Sequence, residues 1–169
     1  MSAVKGTAIE PLFMLLLTSG LRIGEALALT SDDIDRSNGT VSVTKNIVFV
    51  DGKEIFQSTT KSAAGNRIVP VPMSVLNYFT DKTGRIFPRK YSGVRTAFRR
   101  LSRSANIEVS PHILRHTYAT RLEESGLTPK AKQYLLGHSS VKMTQNTYTD
   151  IQNDYILTFK DKIEGLFDT

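Results

Sequence analysis

The feature that most constrains the fold is an apolar stretch near the start of the chain that a short polar break divides in two. Apolar residues are nearly continuous over residues 8–17, residues 18–20 (TSG) interrupt them, and the pattern resumes over residues 21–29. A membrane-spanning helix needs ~20 apolar residues, far more than the longest unbroken run, residues 12–17. The pattern therefore predicts two helices that are joined at Gly20 and buried in a protein core.

Downstream of this helical pair, the sequence predicts a small sheet and then further helices. Turn signals separate three β-rich runs, which we expect to form a three-stranded antiparallel sheet: residues 40–50, 54–59 and 67–71. Beyond Pro72 the spacing of apolar residues is helical, and helices are predicted over residues 74–79, 91–104, 111–126, 129–137 and 140–148. The predicted fold class is α+β, mainly α-helical.

The chain length of 169 residues suits one compact domain. We interpret residues 1–6 as a chain start or linker and residues 7–150 as the domain. Residues 151–169 form a tail with an apolar residue at every fourth position, which predicts an amphipathic helix. The apolar stripe of this helix must be covered, and docking in cis and docking on a neighbouring protomer both remain open.

The composition indicates which kind of partner the protein binds and where in the cell we expect it. Lys and Arg outnumber Asp and Glu by 22 to 16, and the net charge of +6 favours a polyanionic partner such as nucleic acid. The chain has no cysteine, which excludes disulfides, thiolate metal sites and a cysteine nucleophile. No basic segment with a cleavage site precedes the first apolar run, so we expect a cytoplasmic protein without a membrane partner.

Two pairs of charged residues stand at helical spacing. His112 and Arg115 lie three residues apart on one face of a predicted helix, as the binding of a phosphate oxyanion would require. Arg22 and Glu25 have the same spacing, so the carboxylate could orient the guanidinium toward a phosphate. Taken alone, His112 with Arg115 is better explained as a solvated pair, and Arg22 with Glu25 as an ordinary helical ion pair.

Three further residues are candidates because of their local setting. Lys61 lies in a polar loop between two predicted strands, where most lysines are merely solvated. His138 follows a predicted helix C-cap at Gly137, which would hold it at the surface. Tyr148 comes ten residues later.

Taken together, these segments resemble the sequence boxes of the tyrosine recombinase (phage-type integrase) family. The boxes occur in the family's order: residues 18–25 (TSGLRIGE) for the first arginine box, 60–61 with 67–70 for the lysine hairpin, 111–120 (PHILRHTYAT) for the H-x-x-R box, 135–140 (LLGHSS) for the L-G-H box and 144–148 (TQNTY) for the tyrosine box. The similarity covers residues 8–150. Many members carry a histidine where this chain has Asp150, which is not a core catalytic position.

The resemblance implies the catalytic domain of a DNA breaking and rejoining enzyme that needs neither cofactor nor metal. In this family a tyrosine, here Tyr148, attacks a backbone phosphate and forms a 3′-phosphotyrosine with release of a 5′-hydroxyl. Arg22 and Arg115 would stabilise the negative charge of the transition state, with Glu25 as support for Arg22.

The resemblance assigns three supporting roles as well. His112 would assist the phenol, whose reference pKa of ~10 makes it a poor nucleophile near neutral pH. Lys61 would protonate the departing 5′-oxygen as a general acid. His138 would hydrogen-bond the phosphate.

The expected function is thus site-specific recombination for the integration or excision of a phage or mobile element. The implied partners are double-stranded DNA at recombination sites, further copies of the chain in a tetramer on that DNA, and accessory DNA-bending proteins.

Three other functions remain open at this point. They are relaxation by a type IB topoisomerase, DNA binding by a catalytically silent module, and hydrolysis by a metal-dependent nuclease that uses Asp32, Asp33 and Asp35.

Overall fold

The computed structural model of the chain describes residues 2–51, 53–58, 66–137 and 157–166. Its helices are α1 (Glu10–Ser19), α2 (Ile23–Ala28), α3 (Met73–Leu76), α4 (Tyr91–Ala105), α5 (Pro111–Glu124), α6 (Pro129–Leu136) and α7 (Lys160–Gly165). Its strands are β1 (Ile34–Asp35), β2 (Thr40–Val43), β3 (Lys45–Val50), β4 (Lys53–Ser58) and β5 (Arg67–Pro70). Single 3-10 turns follow α2 and α3, at Ser31–Asp33 and Asn77–Phe79.

The two apolar helices meet at Gly20, as predicted. The first helix, α1, ends there because Gly20 adopts a left-handed conformation with a φ of 61° and donates its N–H to the carbonyl oxygen of Leu16. A β-carbon on Gly20 would lie 2.2 Å from Cδ1 of Tyr118 in α5. Glycine therefore provides both the turn and the room for α5 to pass directly over it.

The strand predicted over residues 40–50 is two strands in the structure. It breaks at Thr44: β2 pairs with β1 and β5 in a three-stranded antiparallel sheet, whereas β3 pairs with β4 in a separate hairpin. The backbone of β3 lies against α2, where a β-carbon on Gly24 would be 2.3 Å from the carbonyl oxygen of Ile47. The alternation of side chains along a strand does not determine which strand pairs with it. The sequence pattern over residues 40–50 therefore does not reveal the change of partner at Thr44.

The hairpin formed by β3 and β4 is attached to the start of α4. The rings of Phe49 and Tyr91 stack with their centroids 4.4 Å apart. The carboxylate of Glu54 accepts a hydrogen bond of 3.2 Å from the backbone N–H of Tyr91 and forms an ion pair of 3.5 Å with Arg85. A negative charge at a helix N-terminus is favourable, so Glu54 supplies the cap that this helix otherwise lacks.

Two helices after the sheet, α5 and α6, begin at the capping residues that the sequence predicts. Ser110 Oγ accepts from the backbone N–H of Ile113 at the start of α5, and Thr128 Oγ1 accepts from Ala131 at the start of α6. The last residue of α6 is followed by Gly137, which has a left-handed φ of 58°. The predicted helix over residues 140–148 lies outside the described residues.

One hydrophobic core unites these elements. The apolar stripe of α5 enters it, with Leu114, Tyr118 and Leu122 all buried. The short α7 contributes Ile163, which is fully buried, so within residues 157–166 the tail packs on its own chain. None of the helices in the described residues is long and apolar enough to cross a membrane.

Candidate active site

The predicted pair of Arg22 and Glu25 is formed at the N-terminus of α2. Arg22 is the N-cap residue, and its backbone N–H donates to Oε2 of Glu25 at 2.8 Å while its Nη1 donates to Oε1 at 3.0 Å. The side chain of Arg22 is 46% exposed, whereas that of Glu25 is only 4% exposed. The carboxylate is therefore a buried anchor, and the guanidinium reaches from it toward the surface.

A second arginine, which is not among the predicted site residues, binds the same carboxylate. Arg67 opens β5 and donates from Nη1 to Oε1 of Glu25 at 3.1 Å and from Nη2 to Oε2 at 2.8 Å. Its side chain is 1% exposed. One feature of the sequence could have drawn attention to Arg67: it is a charged residue at the start of an apolar strand, in a segment matched to the lysine hairpin. Nothing in the sequence identified Glu25 as its partner.

The ionisation of Glu25 follows from these contacts. Burial raises its pKa, but the hydrogen bonds and positive charge of Arg67, together with those of Arg22, outweigh burial and hold the pKa below its ordinary value. Glu25 is therefore an ionised carboxylate near neutral pH.

Arg115 reaches the same region from α5. Its Nη1 donates to the carbonyl oxygen of Gly20 at 2.6 Å, and its Nη2 donates to that of Leu136 at 2.5 Å. Burial, with a smaller contribution from the charge of Arg22, lowers the pKa of Arg115 to about 10. The guanidinium is still protonated near neutral pH, and its low hydration makes it a strong partner for an anion.

All three arginines converge on the C-terminal end of α6. Arg67 Nε donates to the carbonyl oxygen of Leu135 at 2.9 Å, Arg115 to that of Leu136, and Arg22 Nη2 to that of Gly137 at 2.9 Å. The last carbonyls of a helix lack partners within it and carry its negative dipole end, so cations are favoured there. The guanidiniums thus fix the end of α6 immediately before His138 in the chain.

The remaining predicted site residues divide into two groups. His112 lies one helical turn before Arg115 on α5, and its side chain is exposed. Lys61, His138 and Tyr148 lie outside the described residues. The structure thus brings Arg22, Glu25 and Arg115 together, and it adds Arg67.

The acidic run considered as a metal site has a structural use. Asp33 accepts hydrogen bonds of 2.8 Å from the backbone and hydroxyl of Thr30 and forms an ion pair of 2.7 Å with Lys45. Asp35 caps the turn after β1, and Asp32 is exposed. The described residues contain no group of three or more carboxylate or imidazole side chains suited to hold a metal ion.

Comparison with known proteins identifies the family. A model described as the phage integrase family matches residues 3–154, which is most of the chain. The chain belongs to this family. Among proteins with which it shares sequence, it is 33% identical to the tyrosine recombinase XerA of Saccharolobus solfataricus, over 92% of this chain and 52% of that protein. It is 28% identical to the transposase of transposon Tn916 from Enterococcus faecalis, over 80% of this chain and 40% of that protein.

Solved structures agree with the sequence comparison. The integrase of transposon Tn1549, in complex with transposon right end DNA, matches with a TM-score of 0.70 at 25% identity, over 93% of this chain and 60% of that one. The catalytic domain of bacteriophage HP1 integrase shares the fold, with a TM-score of 0.57. The predicted tyrosine recombinase catalytic-domain fold is therefore confirmed. The chain spans about half the length of the curated relatives it matches.

Proposed function

We propose that this phage integrase family chain is the catalytic domain of a site-specific DNA recombinase that acts through Tyr148. The observation that carries the proposal is the convergence of Arg22 and Arg115 on the end of α6, next to His138 in the chain. Two guanidiniums fixed by protein carbonyls, with one of them half exposed, suit a phosphate that must bind in a defined orientation.

The reaction is a transesterification. The phenolic oxygen of Tyr148 forms a bond to phosphorus as the bond to the 5′-bridging oxygen breaks, which leaves a 3′-phosphotyrosine and a 5′-hydroxyl. The phosphorane-like transition state carries more negative charge on its nonbridging oxygens than the substrate does. Arg22 and Arg115 therefore stabilise the transition state more than the ground state.

Proton transfers accompany both bond changes. His112 assists removal of the phenolic proton, and Lys61 gives a proton to the departing 5′-oxygen. His138 hydrogen-bonds a nonbridging oxygen. Attack by a 5′-hydroxyl from another duplex reverses the sequence and exchanges strands without an external energy source, because the phosphotyrosine retains the energy of the broken bond.

A row of arginines on α4 supports DNA as the substrate. Arg95, Arg99 and Arg103 recur at every fourth position and are exposed, and this helix of 15 residues contains no acidic residue. Side chains four apart lie on one helical face. A stripe of this kind can follow a phosphate backbone, and Arg100 extends it.

The wider biological setting follows from the same proposal. The partners are double-stranded recombination sites, further copies of the chain in a tetramer on DNA, and accessory DNA-bending proteins. The reaction integrates or excises a phage or mobile element in the cytoplasm of a bacterial host, at the nucleoid.

The deciding experiment uses a nicked suicide substrate, in which the downstream strand diffuses away after cleavage and traps the covalent intermediate. The wild-type chain should form a protein–DNA adduct on Tyr148, and Tyr148→Phe should form none while it still binds DNA. An adduct of normal yield with Tyr148→Phe would refute the proposal.

Two added measurements separate the other functions. Adduct formation should persist in EDTA, whereas a metal-dependent nuclease would lose activity. Paired recombination sites should yield strand-exchanged junctions, whereas relaxed circles without exchange would indicate a topoisomerase.

A further inference from the structure

We propose that Arg67 is a positioning residue for DNA cleavage: it neutralises the buried carboxylate of Glu25 from the inside and so leaves the guanidinium of Arg22 available to the scissile phosphate. This inference rests on the proposed recombinase function. It assigns a role to a buried residue that cannot touch the DNA directly.

The hydrogen bonds of Glu25 separate its two arginines into an inner and an outer partner. Arg67 takes both carboxylate oxygens in a bidentate pair and is almost completely buried. Arg22 takes one oxygen with Nη1 and points its other terminal nitrogen to Gly137, with 46% of its side chain exposed. The buried arginine thus makes the stronger ion pair, and within the described residues the exposed one has donors left over for a further anion.

The charge balance of the cluster gives this arrangement a consequence. Among the described residues, Arg22, Arg67 and Arg115 surround a single ionised carboxylate, so an excess of two positive charges remains there. With Arg67 in place, Glu25 is already neutralised, and the excess resides on Arg22 and Arg115. Without Arg67, Arg22 would be the main counter-ion of the buried carboxylate of Glu25. The carboxylate would then balance the charge of Arg22, which would attract a phosphate less strongly.

Arg67 also fixes the segment that leads to His138. Its Nε donates to Leu135, and the backbone N–H of the next residue, Ile68, donates to the hydroxyl of Tyr134 at 3.0 Å. A β-carbon on Gly137 would lie 2.6 Å from Nη1 of Arg67 and 2.8 Å from its Cζ. The glycine of the L-G-H box is therefore required by the closeness of this guanidinium as well as by its left-handed φ of 58°.

Stability alone does not account for a buried pair at this position. The desolvation of two charges offsets most of their attraction, and apolar residues of similar size often replace such pairs without loss. A bidentate guanidinium does, however, fix orientation, because its donors form a rigid planar fork. Arg67 holds Glu25, and Glu25 in turn holds both the backbone and the side chain of Arg22.

The test compares Arg67→Met, which removes the charge, with Arg67→Lys, which keeps it at similar length. Single-turnover cleavage of the suicide substrate is measured against pH, as a ratio to wild type. Among the described residues, the groups that face Glu25 are Arg22, Arg67 and, more remotely, Arg115, with the phenol of Tyr118 beside the latter two. Only Glu25 among them changes charge on the acid side of neutrality.

For Arg67→Met we expect a cleavage rate reduced by about 10- to 100-fold, the usual cost of removing a group that orients a reacting side chain, with DNA affinity little changed. The ratio should rise toward that of wild type as the pH decreases, because burial of Glu25 is then opposed only by Arg22, the carboxylate protonates at higher pH, and its protonation releases the charge of Arg22. Arg67→Lys should keep the pH profile of wild type.

The variant Arg67→Met combined with Glu25→Gln serves as the internal control. It has no carboxylate to protonate, so its ratio to wild type should not change with pH. This double variant also removes the unpaired buried charge, and it keeps the inference testable if Arg67→Met alone does not fold. Carbon-13 NMR titration of the Glu25 carboxyl should give a higher midpoint in Arg67→Met than in wild type, independent of DNA.

These measurements distinguish the inference from the proposed function. Failure of the wild-type chain to form an adduct would overturn the proposed function, whereas the NMR titration would still report on the ion pair. An adduct in wild type together with an unchanged rate and pH profile in Arg67→Met would overturn the role of Arg67 alone. Equal losses in the Met and Lys variants, with no added dependence on pH, would also overturn it.

Discussion

Arg115 is joined to Gly20 by a hydrogen bond of 2.6 Å from its Nη1 to the glycine carbonyl oxygen. This contact spans 95 residues and ties the H-x-x-R helix to the break between α1 and α2. The next turn of α5 brings Tyr118 against the same glycine, where a β-carbon would overlap its ring. Arg115 is therefore oriented by a position at which only glycine fits.

The first prediction is that Gly20→Ala destabilises the protein. The alanine backbone would have to keep a φ of 61°, and its β-carbon would lie 2.2 Å from the ring of Tyr118. We therefore expect the free energy of unfolding in urea to fall by about 2 to 4 kcal/mol. Gly93→Ala is the control, because Gly93 lies exposed within α4 with no atom near its β-carbon. That change should stabilise by up to about 1 kcal/mol. Equal effects of the two would contradict this account.

The second prediction concerns stability in acid. Folding lowers the pKa of Glu25 below 4.5. The unfolded chain therefore binds this proton at a higher pH than the folded chain does, and the associated stability is present above about pH 4.5 and lost as the pH falls through the folded pKa.

Urea unfolding from pH 3 to pH 7 tests the sign of this effect. Glu25→Gln leaves Arg67 buried without a counter-ion, so at pH 7 we expect a loss of about 3 to 5 kcal/mol that shrinks as the pH decreases. Glu124→Gln makes the same change of charge on an exposed residue and should follow wild type. A Glu25→Gln difference that does not depend on pH would contradict the prediction.

The parts of the fold that could be predicted from sequence are those decided by neighbours along the chain. The ends of α5 and α6 follow from Ser110, Thr128 and Gly137, each of which satisfies backbone groups within four residues of itself. The pair of Arg22 and Glu25 was predictable for the same reason, since three residues along a helix separate them.

The parts that could not be predicted depend on contacts between distant segments. The pair of Arg67 and Glu25 joins residues 42 apart, and neither has a local pattern that names the other. The break at Thr44 is similar, because it depends on which strands β2 and β3 select as partners. The same limit applies to the carbonyls of Leu135, Leu136 and Gly137 that accept from arginines, since any helix end offers such carbonyls.

The third prediction tests Lys61 as the general acid. Lys61→Ala should lose cleavage of an ordinary phosphodiester but recover it on a substrate with sulfur at the 5′-bridging position, because a thiolate leaves without protonation. The measurement is the initial rate of adduct formation on the two substrates. Lys53→Ala, which changes an exposed lysine of β4, should behave as wild type on both. Absence of rescue would remove Lys61 from this role.

The fourth prediction assigns DNA contacts to α4. Arg99→Gln should weaken binding to any duplex and lower the slope of log affinity against log salt by about 0.9, the contribution of one phosphate contact. Arg121→Gln is the matched control, because Arg121 is also exposed but is paired with Glu124 on α5. Fluorescence anisotropy at several salt concentrations measures both slopes. An identical slope in all three proteins would place the DNA elsewhere.

The fifth prediction separates docking of the tail in cis from docking in trans. Ile163 is fully buried against its own chain, so Ile163→Ala should cost about 2 to 4 kcal/mol in the isolated protein, whereas Asp161→Ala, at an exposed position of α7, should cost little. The apolar face of α7 can pack against only one protomer at a time. Docking on a neighbouring protomer therefore requires α7 to leave the site that it occupies on its own chain. If the tail is exchanged onto a neighbouring protomer, a chain ending at Asp150 should bind a single site yet fail to assemble on paired sites in native gels. Normal assembly of this shortened chain would contradict exchange in trans, because the tail would be dispensable for contacts between protomers.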